Sequence, residues 1–195
     1  MQHDASARER ASGRLIFLIG PSGSGKDSLI DAARAQLSAA GVEIARRIIT
    51  RSAEAKGEAA HGVSAQRFAR LREEGAFAMH WRANGLDYGI PAQVDAWLAQ
   101  GRSVLVNGSR AYLPEAQARY PDLLAVCLDV QPDVLRERLL ARGRETPEQV
   151  DQRLARNAQL QLDAGPSLHH LDNSGALATA VAAFLDLLRQ EQLIG

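Results

Sequence analysis

The stretch Gly20-Pro21-Ser22-Gly23-Ser24-Gly25-Lys26 constrains this chain more than any other. It follows the apolar run Leu15–Ile19, which reads as a buried strand. It precedes a segment in which Leu29, Ala33 and Leu37 recur every fourth residue, the period of a helix over 26–40. A G-x-x-x-x-G-K pattern between a strand and a helix is a phosphate-binding loop. Its glycines let successive backbone N–H groups curl around an anion, the helix N-terminus adds partial positive charge, and Lys26 reaches the outer phosphates as a point charge. The chain has 16 glycines, and its lysines are Lys26 and Lys56 alone, so about 0.01 matches are expected by chance. The expected ligand is a nucleoside triphosphate, held by Gly20, Pro21, Ser22, Gly23, Ser24, Gly25, Lys26, Asp27 and Ser28. Where this motif ordinarily carries a Ser or Thr for Mg²⁺, Asp27 stands, followed by Ser28. A carboxylate is also a hard oxygen ligand, so Asp27 is a candidate metal ligand; equally, it can favour the helix dipole.

The remaining pattern alternates apolar runs with helical periodicity. Val42–Ile49 predicts a second strand, with Arg46 and Arg47 as its solvent-facing end. Val104–Val106 and Leu124–Leu128 read as strands buried on both faces, as parallel strands are. Helices are expected over 112–120, 132–143 and 148–163, a short strand over 168–172, and a closing helix carrying Leu177, Val181, Phe184, Leu185 and Leu188. The expected fold is therefore α/β: a P-loop core whose parallel sheet is flanked by helices. Residues 1–13 read as a disordered tail and 14–195 as one domain. Segment 50–100 breaks the rhythm and reads as a small inserted subdomain, with Phe68, Phe77 and Trp81 as its core. Residues 142–156 form a charged lid.

Composition narrows the function. The formal net charge of zero excludes a general nucleic-acid coat and a polybasic membrane binder. The longest apolar runs are far too short to span a bilayer. Residues 1–14 lack the apolar core of a signal peptide. A single cysteine, Cys127, forms no intrachain disulfide, which fits the reducing cytoplasm. The expected partners are small molecules.

The loop, Thr50-Arg51, Val63-Ser64 with Phe68, the stretch FAMHWRANGLDYG at 77–89, and Arg142-Gly143 followed by Arg153-Leu154 together resemble the guanylate kinase family across nearly the whole chain. The resemblance implies a P-loop core, an inserted acceptor-binding domain and an arginine-bearing lid. Three departures stand out. Met79 replaces the glutamate that reads guanine, and a thioether cannot accept two N–H bonds. Glu54 replaces a second arginine, and Asn107 and Ser109 replace the carboxylates of the third core strand. The combination GPSGSGKDSL, ITR, WRANGLDYG and VLVNGSRAYLP is more closely similar to the ribose 1,5-bisphosphate phosphokinases of bacterial phosphonate degradation. That likeness implies ATP- and Mg²⁺-dependent transfer of a phosphoryl group to the 1-phosphate of ribose 1,5-bisphosphate, giving 5-phosphoribosyl 1-diphosphate. A nucleoside monophosphate kinase and a non-catalytic protein-binding module are the alternatives.

An acceptor with two phosphates and no base needs cations and hydroxyls. The candidates are Arg51, His61, Arg82, Tyr88, Asn107 and Arg110; Arg51 and Tyr88 carry over from the family as phosphate binders. Asn107 and Arg110 lie at the C-terminal end of a core strand, the end that faces the ligand crevice in open α/β sheets. Lys26, with Arg142 and Arg153 from the lid, is expected to neutralise the transferring phosphoryl group. Asp172-Asn173 is placed near the adenine.

Overall fold

The computed structural model describes residues 13–50, 60–158 and 168–195. Strand β1 (Leu15–Ile19) is buried at all five positions and sits at the centre of a parallel sheet. Around it run β2 (Glu43–Ile44), β7 (Val104–Asn107), β8 (Leu124–Asp129) and β9 (Leu168–Asp172), in the order β2-β7-β1-β8-β9. Every pairing in this sheet is parallel. Burial on both faces explains why the three inner strands, β7, β1 and β8, read as apolar runs rather than as alternation.

Helices cover both faces. On one, α1 (Lys26–Ala39) and α7 (Leu177–Gln190) pack together, setting Leu29, Ala33 and Leu37 with Phe184 and Leu188 against Ile16, Leu18 and Val126. On the other, α3 (Gln93–Ala99) and α4 (Leu113–Arg119) supply Val94, Leu113 and Ala116 to a core with Phe17, Ile19 and Val106. A 3-10 turn, Arg110–Tyr112, joins β7 to α4. No helix among the described residues is long and apolar enough to cross a membrane.

A second, four-stranded sheet contains β3 (Arg47–Thr50), β4 (Ala60–Val63), β5 (Phe77–Ala83) and β6 (Leu86–Pro91), ordered β4-β3-β6-β5. Helix α2 (Ala65–Glu73), capped by Ser64 accepting from the Arg67 N–H, stacks Phe68 on Phe77 with ring centroids 4.7 Å apart. Met79 and Ile90 pass from this sheet into the α3/α4 core, so the two sheets share one hydrophobic core.

The strand expected over 42–49 is in fact two. β2 pairs with Val104 and Leu105 of β7, and β3 leaves to pair with β4 and β6 of the second sheet. An apolar run marks extended chain but does not say which distant partner it meets. The helix expected over 148–163 is α6 (Pro147–Ala158), and 159–163 lie outside the described residues. A second correction concerns Arg47. It is 7% exposed, on the buried phase of β3 with Ile49, whereas Arg46 is exposed as expected.

Candidate active site

The loop after β1 is held from three sides. Gly23 has φ +95°, and a Cβ there would lie 2.9 Å from Leu135 Cδ1 and 3.0 Å from Leu139 Cδ2. Those leucines belong to α5 (Pro132–Ala141), whose inner face thus rests on the crown of the loop. Gly25 has φ +91°, and its missing Cβ leaves room for Asn173 Nδ2, 2.6 Å away. Asn173 is buried beyond β9 and donates to the Ser24 carbonyl at 2.7 Å. A side chain at either glycine would meet both a left-handed backbone and an occupied space.

Lys26 opens α1, and its ammonium donates to the carbonyls of Gly20 at 2.8 Å and Pro21 at 3.2 Å. Burial pulls its pKa down to about 8; Arg47 and Arg110 push the same way, and Asp27 opposes them. Lys26 is therefore a cation held at a cost, in a place that favours the arrival of negative charge.

Asp27 lies one residue on. Its Oδ1 accepts from Arg47 Nη2 at 3.1 Å and from Asn107 Nδ2 at 2.8 Å. The Arg47 guanidinium stands 5.7 Å from the centroid of the Tyr88 ring. Tyr88 stacks on Trp81 at 5.7 Å with planes 4° apart, and Trp81 meets Tyr112 at 5.4 Å. The contacts run without a break from α1 to β3, across β6 and β5, to the turn before α4. Beside them Asp27, Arg34, Arg46, Arg47 and Asn107 border a cavity of about 380 Å³. Asn107 Oδ1 is buried without a hydrogen-bond partner, next to the Asp27 carboxylate. Two hard oxygen donors in that position fit a small divalent cation.

The other side of the loop faces a hairpin of α5 and α6. Thr146 and Gln149 bond reciprocally at the start of α6, the Thr146 N–H to Gln149 Oε1 at 2.9 Å and the Gln149 N–H to Thr146 Oγ1 at 3.4 Å. This cap sets the helix direction, and one turn later Arg153 reaches back to Ser22 Oγ at 3.2 Å while pairing with Glu145 at 2.7 Å. Arg110 donates to Asn157 Oδ1 at 2.8 Å, and burial lowers its pKa. Pro21, Arg110, Leu154 and Asn157 share the wall of a cavity of about 490 Å³.

The candidates named from sequence therefore divide. Gly20 to Lys26, Asp27, Asn107, Tyr88, Arg110 and Arg153 gather around the loop, and Ser28 is exposed on α1. Arg142 is exposed at the C-terminal end of α5, before Gly143. His61 and Arg82 are exposed, and they lie on the other face of the second sheet. His61 is opposite Ile48 and Arg82 opposite Asp87, whereas Tyr88 is opposite Ile49 and Trp81. Trp81, expected in the core with Phe68 and Phe77, instead lines the Tyr88 face. Arg51 lies outside the described residues. Asn173 supports the loop directly, a more specific position than the one expected near the adenine. Arg47, a phosphate-binding candidate for which a solvent-facing strand end was the favoured expectation, is a buried site residue, and Asn157 is one that the sequence does not single out. The alternation of Arg47 with Ile49 was the one signal for that burial. Met79 is 1% exposed in the core with Ile90 and Val94, so position 79 offers a ligand no polar atom.

No family model matches the chain. Its sequence is 61% identical over 178 residues to the ribose 1,5-bisphosphate phosphokinase PhnN of Azotobacter vinelandii, covering 91% of this chain and 97% of the relative. It is 62% identical over 174 residues to the protein of that name from Pseudomonas paraeruginosa, covering 89% and 94%. For the one from Thiobacillus denitrificans the identity is 45% over 179 residues, covering 91% and 94%. Among solved structures, the crystal structure of guanylate kinase from Anaplasma phagocytophilum superposes with a TM-score of 0.66 at 16% identity, covering 94% of this chain and 88% of that one. That likeness is one of fold.

Proposed function

The chain belongs to the ribose 1,5-bisphosphate phosphokinase family, and from that premise we propose that it transfers the γ-phosphoryl group of ATP to the 1-phosphate of ribose 1,5-bisphosphate. A bond forms between an oxygen of the 1-phosphate and the γ-phosphorus, and the bond from that phosphorus to the β-bridging oxygen breaks. The products are ADP and 5-phosphoribosyl 1-diphosphate. The nucleophile is already an ionised phosphate oxygen, so the reaction needs no general base. Alignment and charge neutralisation supply the catalysis.

The observation that carries the acceptor assignment is the Asp27–Arg47–Asn107 cluster. Its one carboxylate is engaged by a guanidinium and a carboxamide, and the position used elsewhere to read a purine is a buried methionine. Such a wall suits a phosphorylated sugar and gives guanine no acceptor pair. In this reading the loop N–H groups and Lys26 hold the ATP phosphates. Arg153, already at the loop, and Arg110 face the transferring group. Arg47, Tyr88 and Asn107 border the acceptor; Arg51, a phosphate binder by the family resemblance, lies outside the described residues. His61 and Arg82 take no part, because they sit on the opposite face. The catalytic lid arginine is Arg153 rather than the exposed Arg142.

Asp27 and Asn107 Oδ1 are the residues that would hold Mg²⁺, which when bound neutralises phosphate charge. The single, buried Cys127 and the use of ATP favour a cytoplasmic enzyme. Rates measured with ATP and either ribose 1,5-bisphosphate or GMP test the assignment. We expect kcat/KM to favour the sugar bisphosphate by at least about 100-fold, since an unpaired buried polar group costs 1–3 kcal/mol and guanine would leave several. A faster reaction with GMP would overturn it.

A further inference from the structure

The cavity on the α5–α6 side holds a group of side chains for which phosphoryl transfer has no use. Cys127 and Asp129 are two apart on β8 and face the same side of the sheet. Cys127 is directly opposite His170 in the β8–β9 register, which brings the imidazole to that side as well. One donor atom from each of the three lies within 4.8 Å of the other two, and Asp129 Oδ2 is 2.8 Å from His170 Nδ1. All three border the cavity of about 490 Å³.

We propose that Cys127, Asp129 and His170 form a binding site for a thiophilic divalent cation of the Zn²⁺ type. Sulfur, imidazole and carboxylate together select such an ion over Mg²⁺, which takes oxygen donors. Bonds of about 2.0–2.3 Å in a tetrahedron require donors roughly 3.3–3.8 Å apart. The present spacings reach that by side-chain shifts of about 1 Å, on a backbone fixed by the parallel pairings of β8 with β1 and with the edge strand β9. Three protein donors leave the fourth position open toward the cavity.

Charge is compatible with this arrangement. Burial and Asp129 hold the Cys127 thiol up to about 12, so the free protein carries S–H; coordination replaces that bond with S–metal and passes the proton to water. The thiolate and Asp129 then balance the ion, while the neighbouring Arg110 is directed to Asn157. This site is separate from the hard-oxygen pair at Asp27, because the two cavities share no bordering residue. The inference does not depend on the phosphoryl-transfer reading.

The single cysteine of the chain makes the test selective. The full-length protein, stripped with a chelator, is titrated with Co²⁺ and then with Zn²⁺. A cobalt–thiolate charge-transfer band can come from Cys127 alone. We expect that band at one Co²⁺ per chain, its loss on adding Zn²⁺, and no displacement by millimolar Mg²⁺. Cys127→Ser should abolish it. His170→Ala, at an exposed position that folding tolerates, should weaken Zn²⁺ binding by about tenfold or more. Absence of a thiolate band in the wild type, or Zn²⁺ binding unchanged in His170→Ala, would overturn the proposal.

Discussion

Replacing Arg47 with methionine separates an architectural arginine from a merely solvated one. The substitution keeps the stem and removes the charge. Three interactions change together. Asp27 loses one of its two donors, the Tyr88 ring loses the cation at 5.7 Å, and Lys26 loses a repelling neighbour. The side chains of the pair are 8% exposed for Arg47 and 36% for Asp27, between the buried and surface cases. Breaking a buried pair costs about 3–5 kcal/mol and a surface pair about 0–1, so discounting for the solvent at Asp27 gives about 2 kcal/mol. The contact with Tyr88, near the outer limit for a cation–π pair, adds about 0.5 kcal/mol. At about 2–4 °C per kcal/mol for a chain of this size, the melting temperature should fall by roughly 5–10 °C. Urea unfolding of Arg47→Met, Asp27→Asn and the double variant should give a coupling energy of about 1–2 kcal/mol. In steady-state assays kcat/KM for the sugar bisphosphate should fall about 100-fold or more, while the KM for ATP changes little. Additive stabilities, or an equal loss in the two substrates, would refute the cluster as the acceptor wall.

Other consequences follow from the same geometry. Because Lys26 titrates at about 8 in the free protein and phosphate charge raises it, ATP binding at pH 8.5 should take up protons, seen by calorimetry in two buffers; affinity should fall as pH rises above 8. For the free protein the sign is opposite: the unfolded chain binds more protons between pH 8 and the ordinary lysine value of 10.5, so this residue's contribution to stability rises with pH across that window. Arg153→Ala should lower kcat by about 100-fold or more and, because its pair with Glu145 is only partly exposed, should also cost about 2 kcal/mol in urea unfolding. Asn173→Ala leaves the buried Ser24 carbonyl without its donor and should cost about 1–3 kcal/mol while raising the KM for ATP.

Much of this could be read before any coordinates. Leu15–Ile19 emerges with the expected bounds, because a strand buried on both faces appears as an uninterrupted apolar run; Leu168–Asp172 also has the expected bounds, although as an edge strand it buries Leu171 alone. The loop is equally legible, since its chemistry fixes both residue type and spacing. What could not be read depends on pairing across long stretches of chain. Nothing within 42–49 reveals that the chain changes sheets at Ala45–Arg46, because the partners lie outside the segment, about 13 residues on for β4 and some 40–60 for β6 and β7. The same missing register hid the burial of Arg47 and the separation of His61 and Arg82 from Tyr88. Asn173 and Asn157 are opposite cases of one problem. Each is an ordinary amide in the sequence, and only the fold brings one beneath Ser24 and the other to Arg110.

The central claim concerns where the phosphoryl group goes. Phosphorus NMR of the reaction of ATP with ribose 1,5-bisphosphate addresses it directly, with the Lys26→Ala protein as control. The account predicts a coupled pair of diphosphate signals on C1 of the sugar, an unchanged 5-phosphate signal and equimolar ADP, all absent with the variant. ADP appearing with inorganic phosphate and no sugar diphosphate, or the same product from Lys26→Ala, would contradict it.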